Sequence, residues 1–185
     1  MSKRLVLLTS GWGNVDLGWT YFSKKFRDSG FDVMWASYPW RGFVGIEESA
    51  KEVSKSLRVI KDEYEHVTFV RHSMGGLIGR YIIQNLDGDQ FVDAYVSIAT
   101  PHQGSAMAFL ANWSKSAQQM KIDSSFLKDL NEGYWPEEMP TLTLSGGWDS
   151  LVFPQFRATF DGAKAHTHIG KTTHTGLLLH PRSFK

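Results

Sequence analysis

Ser73 stands at a junction that is suited to nucleophilic chemistry. It follows a β-forming run at residues 67–70 and precedes Gly75 and Gly76, after which apolar residues recur at helical spacing. A strand that turns directly into a helix exposes the residue at its tip and requires small neighbours. The N–H groups at the start of that helix favour a developing negative charge. The pattern predicts a nucleophilic serine with the Met74 N–H as one oxyanion donor.

Two other interpretations of this stretch stay open. Ser73 could simply cap the helix, as serines often do. Gly75, Gly76 and Gly79 could also belong to a phosphate-binding loop, although the stretch lacks the Gly-Lys-Ser/Thr ending and the spacing of a dinucleotide fingerprint. The phosphate loop is the weaker of the two alternatives.

A serine hydroxyl is a poor nucleophile at neutral pH and needs a base. Of the seven histidines, His174 lies a few residues past the last predicted strand, at the edge of the sheet where Ser73 is expected. His180 and His102 are the alternatives, whereas His66 and His72 stand in poorer positions for a base. We therefore assign the role of base to His174.

An acid must orient the imidazole and stabilise its charge. Asp149 follows the fifth predicted strand in SGGWDSLV, where two glycines permit a sharp loop. A solvated turn aspartate is the alternative interpretation. The loop after the first strand, in LVLLTSGWGN, offers the Trp12 N–H as a second oxyanion donor, unless Trp12 only packs on the surface.

The sequence gives no clear sign of a metal or cofactor site. His166 and His168 alternate on a predicted strand and could form a metal-binding pair, but no third ligand stands out, so ordinary sheet residues are the favoured interpretation. The chain contains no cysteine, which excludes disulfides and thiolate catalysis. We therefore expect neither a cofactor nor a metal.

Six short strand-like runs position these side chains. They lie at residues 5–8, 31–36, 67–70, 94–99, 141–145 and 165–169, and helical patterns separate the first four. The clearest amphipathic helix places its apolar residues at Ile46, Ala50, Val53, Leu57, Ile60 and Tyr64. Such alternation predicts a mainly parallel sheet with helices on both faces. Ligands bind beyond the carboxyl ends of the strands of such sheets, which is where Ser73, Asp149 and His174 are expected.

The length of 185 residues favours one domain over residues 1–185. A net charge of +1 without blocks of like charge gives no support to a nucleic-acid or anionic-membrane surface. The apolar run at residues 5–8 is too short for a signal peptide, and no run approaches the ~20 residues that span a bilayer. We expect a soluble, cytoplasmic protein whose oligomeric state the sequence does not indicate.

Five separated motifs resemble those of the α/β-hydrolase superfamily, in particular small bacterial lipases and esterases. They are LVLLTSGWGN, VRHSMGGLIGR, SIATPHQGSAMA, SGGWDSLV and THTGLLLHP, and they occur in the family's order over most of the chain. The resemblance implies a minimal three-layer α/β/α fold with about six strands. It also implies a triad of Ser73, Asp149 and His174, with an oxyanion hole at Trp12 and Met74.

The function implied is hydrolysis of a small carboxylic ester, of short or medium acyl chain, through an acyl-enzyme. Gly11, His72 and His102 are expected to contact the substrate. A thioesterase or amidase with the same triad is an alternative, as is a binding module without catalysis. Residues 103–139 form an insertion whose apolar residues could cap the site, although helices completing the core are the favoured interpretation for most of them.

Two positions depart from the family pattern. Arg71 stands where the family usually has glycine or alanine, two residues before the serine. Its side chain must find room beside the neighbouring strand, over Ser97 or Ala99, and could place a cation near the site, but displacement to the surface is the favoured interpretation. Ser10-Gly11 replaces the usual His-Gly of the oxyanion loop, a change that leaves the backbone donor in place.

Overall fold

The computed structural model describes residues 3–13, 18–38 and 42–184. Its six strands pair in parallel in the order β2-β1-β3-β4-β5-β6. They are β1 (Arg4–Thr9), β2 (Asp32–Trp35), β3 (His66–His72), β4 (Ala94–Ile98), β5 (Thr141–Gly146) and β6 (Ala165–Ile169). The predicted six-stranded parallel sheet is therefore confirmed.

Helices cross over between the strands. They are α1 (Trp19–Asp28), α2 (Ile46–Ile60), α3 (Met74–Asn85), α4 (Lys115–Gln119) and α5 (Ser125–Glu132). The apolar stripe of α2 is buried at Ile46, Ala50, Val53 and Leu57, as its spacing predicts, but the helix ends before Tyr64. Within the described residues, no helix has both the length and the apolar character needed to cross a bilayer.

Each face of the sheet has its own apolar core, because successive residues of a strand point to opposite sides. Leu5, Leu7 and Phe69 pack under α2 and α3 on one face. Val6 and Leu8 pack under α1 on the other. Complete burial of such a side chain contributes about 1.5–3 kcal/mol, so the two cores fix the sheet firmly. Because all six strands run parallel, the residues after β1, β3, β5 and β6 lie along the same edge of the sheet.

Candidate active site

Ser73 joins β3 directly to α3 in a strained backbone conformation. Its φ of 55° and ψ of −130° lie outside the regions that side-chain-bearing residues favour. The Ser73 N–H donates to the Ile98 carbonyl at 2.8 Å, which anchors the bend to β4. Met74 is the first residue of α3, and its N–H has no acceptor among the described residues. The tip of the bend thus combines a hydroxyl with a free backbone donor.

The loop after β1 lies against this bend, and only glycines permit the contact. A Cβ at Gly11 would lie 2.6 Å from the Ser73 Cβ, and one at Gly75 would lie 2.5 Å from the Ser10 carbonyl oxygen. Gly11 is therefore buried beside Ser73. This approach carries the Trp12 backbone next to the serine, as a second oxyanion donor requires.

The Trp12 ring packs against other aromatic rings and takes no part in the oxyanion site proposed for the Trp12 backbone. It lies 5.0 Å from the Phe43 ring and 5.7 Å from the Trp113 ring, measured between centroids. Its Nε1 donates to the Ser116 hydroxyl at 3.2 Å. The Trp12 backbone N–H has no acceptor within the described residues. Packing of the ring and donation by the backbone are thus compatible.

Tyr38, which none of the sequence motifs includes, holds the loop after β1 in place. Its buried hydroxyl lies 2.9 Å from the Ser10 carbonyl oxygen and is also within hydrogen-bond distance of the Gly11 carbonyl oxygen. Trp19 adds a bond from its Nε1 to the Ser10 hydroxyl at 3.0 Å. The available signal was position, because Tyr38 follows β2 at the same edge of the sheet.

His174 and Asp149 form a buried pair at this edge. The His174 Nδ1 lies 2.8 Å from the Asp149 Oδ2, and the two side chains are 9% and 2% exposed. The other oxygen of Asp149 accepts the N–H groups of Leu151 at 2.8 Å and Val152 at 2.9 Å. Since a carboxylate only accepts, the proton of the pair lies on Nδ1, which leaves Nε2 as the basic nitrogen of His174.

His72 connects this pair to the serine's own strand. Its Nε2 lies 3.1 Å from the His174 carbonyl oxygen, and the two rings are 4.6 Å apart between centroids. Burial, together with the charge that His174 can carry, lowers the pKa of His72 to about 3. No hydrogen bond joins the Ser73 hydroxyl to the His174 ring in the described residues, and such bonds commonly tighten only when substrate binds.

His72 and His102, both predicted to contact substrate, are buried. His72 is 4% exposed and His102 is completely buried. The His102 Nε2 lies 2.8 Å from the Ser97 hydroxyl, and its Nδ1 lies 3.4 Å from the Arg80 Nη1. Burial, followed by the neighbouring charge of Arg80, lowers the pKa of His102 well below its usual range. Contact of these two side chains with a substrate stays a prediction that their burial does not favour.

The expectation that Arg71 is displaced to the surface is wrong. Its side chain is completely buried, with its guanidinium carbon 3.6 Å from the centroid of the Phe69 ring. Its Nη1 donates to the Thr9 hydroxyl. The missing side chain at Gly79 of α3 makes room, since a Cβ there would lie 3.2 Å from the Arg71 Cγ. Arginine at this position therefore fills space under α3.

His166 and His168 are sheet residues that hydrogen-bond to their neighbours on β5. The Ser145 hydroxyl lies 3.0 Å from the His166 Nε2 and 2.9 Å from the His168 Nδ1. Among the described residues, no group of three or more His, Cys, Asp or Glu side chains is arranged to hold a metal ion.

Apolar residues of the 103–139 insertion lie partly on the surface and partly in the core. A 3₁₀ helix spans Ala106–Ala111, and the Phe109 and Leu110 side chains are 56% and 77% exposed. Trp113 is also exposed, whereas Met120 is buried at 8% exposure. Phe109, Leu110 and Trp113 thus lie on the surface, whereas Met120 belongs to the core. A role of these residues as a cap over the site stays a prediction.

Comparison with known proteins identifies the family. The family model described as "Lecithin:cholesterol acyltransferase" matches residues 28–142. Triacylglycerol lipase 2 of Saccharomyces cerevisiae is 34% identical over 117 residues, which are 59% of this chain and 35% of that protein. The chain therefore aligns with about a third of the length of this relative.

Solved structures of lipases share the fold. The mature form of Bacillus licheniformis lipase BlEst2 superposes with a TM-score of 0.80 at 16% identity, over 96% of this chain and 87% of that one. Aspergillus fumigatus lipase B gives a TM-score of 0.79 at 21% identity, over 95% of this chain and 49% of that one. The chain belongs to the lecithin:cholesterol acyltransferase family and has the α/β-hydrolase fold of lipases and esterases.

Proposed function

We propose that the chain is a serine hydrolase that cleaves carboxylic esters through Ser73, His174 and Asp149. The observation that carries the proposal is the buried 2.8 Å hydrogen bond between His174 and Asp149. His174 in turn contacts His72, which directly precedes the strained Ser73 at φ 55°. A helix-capping serine needs neither the strained backbone nor a histidine–aspartate pair at the same edge. The yeast relative is named a lipase, which agrees with an ester substrate.

In the proposed mechanism, the Nε2 of His174 takes the Ser73 proton as Oγ attacks the ester carbonyl carbon. The carbonyl oxygen becomes an oxyanion, which accepts hydrogen bonds from the Met74 and Trp12 N–H groups. The bond to the leaving alcohol then breaks, and His174 returns the proton to that alcohol. Water attacks the acyl-enzyme with the same base and releases the acid. An alcohol in place of water would make the reaction an acyl transfer.

Asp149 supports both steps and does not take up a proton itself. It stabilises the imidazolium form of His174 and fixes the tautomer through Nδ1. Its second oxygen is occupied by two backbone N–H groups, so the carboxylate cannot rotate freely. We place short or medium acyl chains first among the candidate substrates. A thioester or amide substrate would use the same groups.

The test is Ser73→Ala with a p-nitrophenyl ester and a fluorophosphonate probe. We expect turnover to fall by about 10⁴-fold or more, because the nucleophile is removed. The wild type should be labelled on Ser73 alone. Ser56 is an exposed serine on α2, so Ser56→Ala is the matched control and should retain full turnover. Undiminished turnover in Ser73→Ala, or labelling at a different serine, would overturn the proposal.

A further inference from the structure

We propose that His72 is a positioning residue, which holds the backbone of the base loop (residues 170–176) at a fixed distance from Ser73. The inference rests on the proposed function, because it concerns how that base reaches that nucleophile. His72 precedes Ser73 directly in the chain and ends β3. A hydrogen bond from the His72 ring to the base loop therefore links that loop to the residue directly before the nucleophile.

In the contact between His72 and His174, the His72 ring donates the hydrogen bond and the His174 carbonyl accepts it. The His72 Nε2 lies 3.1 Å from the His174 carbonyl oxygen, which can only accept. The His72 ring must therefore be protonated on Nε2. Among the described residues, no other group donates to this carbonyl.

Two separate hydrogen bonds hold His174 in the base loop, one to its ring and one to its backbone. Asp149 holds the His174 ring through Nδ1, whereas His72 holds the His174 backbone. The neighbouring Trp148 N–H donates to the Thr172 carbonyl at 3.0 Å, so the acid loop braces the start of the base loop. Asp149 and Trp148 belong to the loop after β5. Within the described residues, His72 supplies the hydrogen bond that ties His174 to β3, the strand that leads to Ser73.

The surroundings of His72 keep the ring neutral and fixed. Its side chain is buried at 4% residue exposure, and its ring meets the Trp19 ring edge-on at 6.4 Å. Burial lowers the pKa of His72 to about 3, with the charge of His174 as the second cause. A neutral His72 does not compete for the serine proton. It also adds no second positive charge beside His174 when that ring becomes an imidazolium.

Two amide side chains of different reach test the proposal. The side-chain nitrogen of glutamine stands as many bonds from Cβ as the histidine Nε2, whereas that of asparagine stops at the level of Nδ1. His72→Gln should keep the donor at the His174 carbonyl, and His72→Asn should lose it. We expect kcat of His72→Asn to fall by about 10- to 100-fold, since misplacement of a reacting group by 1 Å can have an effect of that size.

The expected pattern separates positioning from general damage. KM should change little in either variant, and His72→Gln should recover most of the lost kcat at a melting temperature equal to that of His72→Asn. The same order should hold for the rate of labelling of Ser73 by a fluorophosphonate. Equal kcat in both variants, or wild-type kcat in His72→Asn, would overturn the proposal.

A measurement that needs no turnover distinguishes this inference from the proposed function. The proton between His174 and Asp149 should give a downfield NMR resonance in the wild type and in His72→Gln, and a broadened or missing one in His72→Asn. If the wild type neither turns over esters nor labels, the proposed function fails while this contrast still decides the role of His72. An unchanged resonance in His72→Asn would refute the positioning role.

Discussion

Two buried arginines on the same side of the sheet differ in how their charge is satisfied. Arg71 and Arg80 are 0% and 1% exposed, and each places its guanidinium over an aromatic ring, at 3.6 Å from the Phe69 centroid and 3.9 Å from the Phe160 centroid. Burial lowers the pKa of Arg71 to about 9 and that of Arg80 to about 10, so both remain cationic at neutral pH.

The hydrogen bonds separate the two residues. Arg80 donates from Nε to Gln84 at 3.2 Å, and from Nη1 and Nη2 to Asn131 and the Leu130 carbonyl, both at 2.8 Å. Arg71 donates to the Thr9 hydroxyl, but no atom of the described residues accepts from its Nε or Nη2. Arg80 therefore links α3 to α5, whereas Arg71 is a poorly compensated charge in the strand that leads to Ser73.

The difference teaches that burial alone does not measure what a charge contributes. A buried cation whose nitrogen atoms each donate to an acceptor stabilises the fold, whereas one left largely unpaired can be replaced by an apolar side chain at little loss. Arg80 should thus be required for stability, and Arg71 should not. Three changes test this contrast.

Arg80→Met should have the largest effect. Methionine retains much of the length and the contact with Phe160, but it removes four hydrogen bonds, the one to His102 included, and leaves the Asn131 oxygen without its donor. We expect the free energy of unfolding in urea to fall by about 2–4 kcal/mol. Lys128 is an exposed cation on α5, and Lys128→Met is the matched control, with an expected change within about 0.5 kcal/mol. A loss below about 1 kcal/mol in Arg80→Met would contradict the assignment.

Acidification should weaken the Arg80 region through His102. Arg80 donates to His102 Nδ1 at 3.4 Å, and the pKa of His102 is well below its usual value, chiefly because the ring is buried. Below about pH 6.5, His102 becomes protonated in the unfolded chain but stays neutral in the folded protein. The free energy of unfolding therefore falls as the pH falls. From pH 7.5 to 5.0, His102 should account for up to about 2 kcal/mol of this loss.

The variant His102→Gln isolates the share of that histidine, because glutamine keeps a donor for Ser97 and does not titrate. Urea unfolding at the two pH values should show a smaller loss in the variant than in the wild type. His72 is also buried with a lowered pKa, so part of the loss should persist. Equal losses in the two proteins would show that His102 does not remain neutral in the folded state.

The sheet and the placement of Ser73, Asp149 and His174 at one edge could be predicted from local signals. Runs of β-formers mark the strands, and the carboxyl ends of parallel strands share one edge, so residues that follow those runs lie near one another. His174 and Asp149 are 25 residues apart and within hydrogen-bond distance for this reason. Their catalytic roles stay predictions.

The position of Arg71 could not be predicted in this way. A charge in a strand suggests exposure, because burial of an ion is unfavourable. Its burial depends on Gly79 in α3 and on the Phe69 ring, two contacts that no local pattern connects. The Tyr38 hydroxyl and the His72 ring also contact residues that are distant in the sequence, Ser10 and His174 respectively. Such contacts appear only once the layers are assembled.

Arg71→Met should have the smallest effect and is the sharpest test of the contrast. Methionine can fill the same space between Phe69 and Gly79, and it removes two nitrogen donors that lack acceptors among the described residues. The cation–π contact and the single bond to Thr9 are lost, which offsets the gain. We therefore expect the free energy of unfolding in urea to change by no more than about 1 kcal/mol. If Arg71→Met lost as much stability as Arg80→Met, the ring contact alone would suffice to stabilise a buried guanidinium, and hydrogen-bond satisfaction would not explain the difference between the two residues.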